Sequence, residues 1–146
     1  SLRRRQRQMC IRDRLWKRYH MEKASIEANL NTTVEMGMSH TEGTAQNLFT
    51  YFAGGLVQNI PDRLQDGFVE RELSAGEYIV CRVEAENFED LVTVALDQAS
   101  KYFFGTWLPH HSLTTEPFSA EKYYCDLEDM ACMEIWVKPL SLKEKN

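Results

Sequence analysis

Apolar residues recur at helical spacing in two parts of this chain and alternate with polar residues in several short runs between and after them. Leu15, Tyr19, Ile26 and Leu30 set a helical period over residues 14–30, with Trp16 and Met21 beside it. Asn31-Thr32-Thr33 stops that period. Val34, Met36 and Met38 then alternate with Glu35, Gly37 and Ser39, the pattern of a half-buried strand. A turn is expected over 41–46 and a second strand over 48–57, where Gly54-Gly55 marks a bulge or a close backbone approach. Residues 61–67 connect the halves, 68–73 read as extended, Ser74-Ala75-Gly76 turns the chain, and 77–84 is a strand. Asn87 is placed to cap a helix. Phe88, Leu91, Val92, Ala95, Leu96, Ala99, Tyr102 and Phe103 give it one apolar stripe. Gly105 is expected to end it, with 108–111 as a loop. Two strands follow, over 118–125 and 131–138, joined by the acidic turn 126–129.

The first half thus reads helix, strand, strand, and the second strand, helix, strand, strand. An internal duplication whose first unit lacks its leading strand accounts for this order. The expected fold is α+β: duplicated strand–helix–strand–strand units, an antiparallel sheet with two helices on one face, and a concave face for a ligand. Side chains at i and i+2 of a strand share a face. Glu121 therefore lies with Tyr123, and Glu134 with Trp136, while Met133, Ile135 and Val137 point the other way, toward covering helices. The two carboxylates are expected to line the concave face together. A carboxylate among aromatics is costly unless a cation or a hydrogen-bond donor meets it. Charge and ring quadrupole both suit a cationic ligand there. Tyr51, Tyr78 and Trp107 are further candidates for the pocket wall. On this reading Glu121 stands unpaired, so Glu121→Gln would weaken binding while leaving stability equal or slightly higher.

Charge changes the picture at the start of the chain. Residues 1–14 hold six Arg and one Asp, a net of +5, whereas the remaining 11 basic and 21 acidic side chains give −10. Residues 1–13 resemble the translated sequencing-adapter run found at the ends of many metagenomic gene fragments. They are expected to be a non-native, ill-packed segment, with the folded domain over 14–140 and a tail over 141–146. The acidic body argues against direct nucleic-acid binding, which needs clustered Lys and Arg. No apolar run approaches the ~20 residues of a membrane span, and no signal peptide is read. Cys10, Cys81, Cys125 and Cys132 form no CxxC pair. The last three lie inside predicted strands, where a reduced Cys behaves as a small core residue, and a reducing, cytoplasmic compartment is expected. His110-His111 has no third ligand nearby, and Ser112 has no nucleophile-elbow context, so no metal, cofactor or catalytic residue is assigned.

Four motifs in order carry a family resemblance: Ala75-Gly76-Glu77-Tyr78 leading into a strand, Trp107-Leu108-Pro109 after the second helix, Ala120-Glu121-Lys122-Tyr123 where the family has Phe-Glu-x-Tyr, and Glu134-Ile135-Trp136-Val137. Together they resemble the GyrI-like small-molecule-binding domain. This is the effector-binding domain of AraC-type and MerR-type bacterial regulators, and it also occurs alone. The resemblance implies two fused strand–helix–strand–strand units with a ligand between them, and it places Glu121 as the acid that meets lipophilic, cationic effectors in multidrug-sensing members. It implies a non-catalytic protein whose partner is a small molecule, with any DNA-binding module fused or separate. Two other classes stay open: a hydrolase of strained-ring or electrophilic toxins, with Glu121 acting on a water, and a stand-alone protein-binding inhibitor.

Overall fold

The computed structural model describes residues 2–41, 49–57, 59, 64 and 67–140. The turn expected over 41–46, most of the 61–67 connector and the tail over 141–146 lie outside them. Helix α1 (Leu2–Glu22) is followed by two short 3₁₀ turns and by strands β1 (Leu30–Thr41) and β2 (Phe49–Val57). Strand β3 (Ile79–Ala85), a long helix over residues 88–110 that we call α2, and strands β4 (Thr115–Tyr124) and β5 (Ala131–Pro139) complete the order. The stretch 68–73, read as extended, has no regular structure.

The five strands form one antiparallel sheet in the order β2-β1-β4-β5-β3. Hairpins β1-β2 and β4-β5 meet back to back through β1 and β4. The arrangement is two-fold symmetric except at the ends, where β3 flanks β5 and β2 is an edge among the described residues. The α+β class and the sheet with two helices on one face are as the chain pattern requires.

Helix α2 packs its apolar stripe on β3, β5 and the end of β4. Leu91, Phe103 and Leu108 meet Val83, Tyr123, Met133, Ile135 and Val137 in the central cluster. Met133 and Val137 are fully buried. The expected helix start is correct: Asn87 accepts a hydrogen bond from the Asp90 N–H at 2.8 Å. The expected end is not. The rod continues past Gly105 through a π-helical turn, Phe103–Trp107, and a last α turn, Leu108–His110. Residues 108–110 are therefore helix, not loop. Two physical reasons favour this. Pro109 sits in the first turn of the final segment, where its missing N–H costs least, and Leu108 is buried against the sheet. A π-helical turn at Leu91–Ala95 adjusts the same rod nearer its start.

The register decides which side chains share a face. Glu121 sits opposite Ile135 on one side and Gly37 on the other, and Tyr123 sits opposite Met133 and Glu35. Glu121 and Tyr123 therefore project toward the helices, with Ile135 and Met133. Glu134 pairs with Lys122 and Trp136 with Ala120, on the far side of the sheet. The expectation that both carboxylates line one face is overturned. Strand parity holds within each strand, but only the pairing between strands fixes their relative phase. Val34 and Met36 are buried as their alternation requires, on the face away from the helices.

A Cβ added at Gly105 would meet no heavy atom within 4 Å, and the residue does not adopt positive φ. Gly105→Ala is therefore expected to raise stability by about 0.5–1 kcal/mol, measured by thermal or urea unfolding. A loss of that size would mean that Gly105 terminates the helix after all.

Candidate functional site

Glu121 is a buried charged residue, 6% exposed, on a strand in the middle of the sheet. Its environment is assembled from three elements. Tyr123, two residues along β4, donates its hydroxyl to Oε2 at 2.5 Å. Tyr51 reaches over from β2 and donates to Oε1 at 3.3 Å. Arg12 comes down from α1 and donates from Nη2 to both carboxylate oxygens, at 2.5 and 2.7 Å. The guanidinium also lies 4.6 Å from the centre of the Tyr51 ring, a cation–π contact. Trp16, one helical turn after Arg12, donates its indole N–H to the Tyr51 hydroxyl at 2.9 Å and meets the Tyr123 ring edge-on at 5.7 Å.

Gly37 makes this crowding possible. It lies between Glu121 and Ala53 in the sheet, and a Cβ there would overlap the Tyr51 hydroxyl and come within 3.4 Å of Trp16. The bare backbone lets an aromatic from the edge strand lie across β1 and reach β4.

The electrostatics follow from burial. The Tyr51 hydroxyl is pushed up to about 12, first by burial and then by the Glu121 charge. Tyr123 is raised well above its ordinary value for the same two reasons. Both remain neutral donors at physiological pH. Burial opposes the charge of Arg12, but Glu121 and the two tyrosines outweigh it, and its pKa lies above the ordinary value.

Beside this cluster, an open cleft of about 1420 Å³ runs between α1 and α2. Arg12, Trp16, His20, Glu35, Phe88 and Tyr123 are among its lining residues, while Glu121 is not. Arg12 stands between the cleft and the carboxylate. Glu35, one of the acids that line the cleft, is held by His20 at 2.9 Å and Lys23 at 4.0 Å.

Of the residues singled out in the chain, Glu121, Tyr123 and Tyr51 come together at this site. The others lie elsewhere. Glu134 has its own partners on the far face: the Tyr124 hydroxyl at 2.9 Å, the Trp136 indole N–H at 3.1 Å and Arg82 at 4.0 Å. Tyr78 packs near Trp136, with ring centres 5.4 Å apart, and donates to the Ser74 carbonyl. Trp107 stacks on His111 in the last turns of α2. Arg12, Trp16, Glu35 and Phe88 lie at this cluster or the cleft beside it, and the chain pattern does not single them out as site residues. The spacing of Arg12 and Trp16 carries a signal, one helical turn on a single face, but the unusual composition of 1–13 hides it. That segment is not ill-packed throughout: the helix begins at Leu2, and Arg12 is tied into the sheet.

Among the described residues no group of three or more His, Cys, Asp or Glu side chains could hold a metal. No described helix is long and apolar enough to cross a membrane. Cys81, Cys125 and Cys132 are free thiols. Cys125 lies just beyond β4 and is exposed, not inside a strand. Burial and then Glu35 push its pKa up to about 11, so it is no activated nucleophile.

The family profile of the integron-associated effector binding protein, Cass2, matches residues 4–137. The chain belongs to this family. No curated protein and no solved structure matches the chain. As a member of this family it is an effector-binding domain of the GyrI-like type, one that holds a small molecule. A buried acid ringed by aromatics beside an open cleft is a structural form suited to that role.

Two outcomes follow for the Cass2-family chain. Glu121 is paired, so the expectation that Glu121→Gln leaves stability equal or higher no longer holds. The substitution should lower stability by about 1–2 kcal/mol in urea unfolding, because it strips a charged partner from a guanidinium that is 29% exposed. The raised tyrosines give a second test. Between pH 10 and 12 an unfolded tyrosine loses its proton while the folded one keeps it, so stability falls as pH rises. Tyr123→Phe should flatten that fall by up to about 1.4 kcal/mol per pH unit. Parallel slopes for the two proteins would contradict it.

Proposed function

We propose that the chain binds lipophilic organic cations in the cleft between α1 and α2, with Glu121 as counter-charge and Tyr51, Tyr123, Trp16 and Phe88 as walls. The observation that carries this reading is the placement of Arg12. The site already holds a cationic group, doubly hydrogen-bonded to Glu121 and lying over the Tyr51 ring, so positive charge and a flat shape both fit there. Carboxylate and ring faces act together on a positive group and repel a negative one. Family membership supports the small-molecule role. Both Glu121 oxygens are held by Arg12 and the two tyrosine hydroxyls, an arrangement that suits a counter-charge better than a base acting on a water, so a sensor, rather than a hydrolase, is favoured. Glu134, Trp136, Tyr78 and Trp107 are not part of this site in the reading proposed.

The domain serves a bacterial, cytoplasmic regulator of the AraC or MerR type, fused or separate, or stands alone. Support for that context is the four-motif resemblance. Residues 14–140 carry the body of the binding unit; the Arg-rich, adapter-like composition sets 1–13 apart in sequence, although Arg12 within that run reaches the site.

Tetraphenylphosphonium and tetraphenylborate have matched shape and opposite charge. Calorimetric titration should show binding of the cation at least tenfold tighter than the anion, and Glu121→Gln should erase most of the difference. A loss of about 1–3 kcal/mol is the range for a charged hydrogen bond in a desolvated site. Equal affinities in the unmodified chain would sink the cation reading. Slow chemical conversion of an electrophilic ligand that disappears in Glu121→Gln would replace the sensor with an enzyme.

A further inference from the structure

Arg12 occupies the position a ligand cation would take. Its guanidinium covers the Glu121 carboxylate, faces the cleft on its other side, and is the cleft's boundary where the acid would otherwise be exposed to it. The contact is local. Ile11 is 53% exposed and Asp13 is also exposed, so within residues 11–13 only Arg12 reaches the sheet. The next anchors are Trp16 and Tyr19, one and two turns later, with Tyr19 buried against β2 and Leu30 near Gly55. Within residues 11–13 the Arg12 side chain is thus the sole tie to the sheet, while Trp16 and Tyr19 hold the turns that follow.

We propose that Arg12 is an internal competitor that closes the cation site, and that an external cation binds by displacing it. This rests on the reading of the Glu121 site given above. The exchange conserves charge: one ion leaves Glu121 and another replaces it, so the Coulomb terms largely cancel. What remains is the difference in hydration and apolar contact. A guanidinium returned to water regains its hydration. A lipophilic cation loses little hydration on entry and gains about 25 cal/mol for each Å² of apolar surface it buries against the aromatic walls. Lipophilic cations should displace Arg12, whereas small, strongly hydrated ones should not. Selectivity for lipophilicity is thus set by the competitor as much as by the pocket.

Two consequences follow. Apparent affinity is the intrinsic affinity multiplied by the fraction of molecules in which Arg12 is out of the site. By linkage, a bound ligand must also bias the Arg12 side chain away from Glu121, which makes the occupied site detectable at that side chain. The segment expected to be non-native and ill-packed would then set the affinity of the site.

The test uses the full chain and tetraphenylphosphonium as probe. Arg12→Ala should bind it at least tenfold tighter than the unmodified chain, and the double variant Arg12→Ala with Glu121→Gln should lose that gain. In the unmodified chain, the side-chain N–H resonance of Arg12 should move to the position of a solvent-exposed arginine, with the same midpoint as binding. This second readout holds even if Arg12→Ala does not fold. Unchanged or weaker affinity in a folded Arg12→Ala, or an Arg12 resonance that stays in place as the probe saturates, overturns the competitor while leaving the cation site standing. No binding to either the unmodified chain or Arg12→Ala overturns both.

Discussion

The structure turns on the placement of one carboxylate in the covered layer between sheet and helices. Glu121 is 6% exposed, and a buried acid without partners would cost several kcal/mol. Every unusual feature nearby answers that requirement. Tyr51 crosses β1 because Gly37 leaves room for it, Tyr123 points its hydroxyl back along its own strand, and α1 delivers Arg12 and Trp16 from above. The same demand for partners that stabilises the fold makes the site a receptor for a positive group.

The two halves of the layer divide the work. Under α2 the helix face of the sheet is dry and closely packed around Met133, Ile135 and Val137. Toward α1 the aromatics are spaced around a charge, and a cleft opens between the helices. Rigidity on one side and space on the other suit a domain that holds its sheet fixed while one helix responds to an occupant. The far face of the sheet carries a separate network in which Glu134 meets Tyr124, Trp136 and Arg82. That acid has its partners on its own strand and the two beside it and does not line the cleft between the helices.

Much of this is legible in the chain. The apolar stripe from Phe88 to Phe103, the cap at Asn87 and the alternating runs at 34–39 and 118–124 each reflect local constraints: the period of a helix or strand and the needs of its first turn. Gly105 misleads because a glycine near a helix end suits a cap, whereas the burial of Leu108 beyond it carries the helix on. Local propensity is worth about 1 kcal/mol at such a position, less than a buried leucine contributes.

By itself, the sequence determined the order of the strands and of the helix that starts after Asn87, the α+β class, the side-chain parity within each strand and the identity of Glu121, Tyr123 and Tyr51 as chemistry in want of a partner; it misplaced both bounds of the first helix and the end of the second. Only the tertiary structure decided the phase between strands, and with it that Glu121 faces the helices while Glu134 faces away. It alone brought Arg12, 109 residues distant in the chain, onto the carboxylate. Parity is a property of one strand's backbone, but register and long-range ion pairing are set by the packing of the whole sheet under its helices, where sequence separation has no bearing on distance.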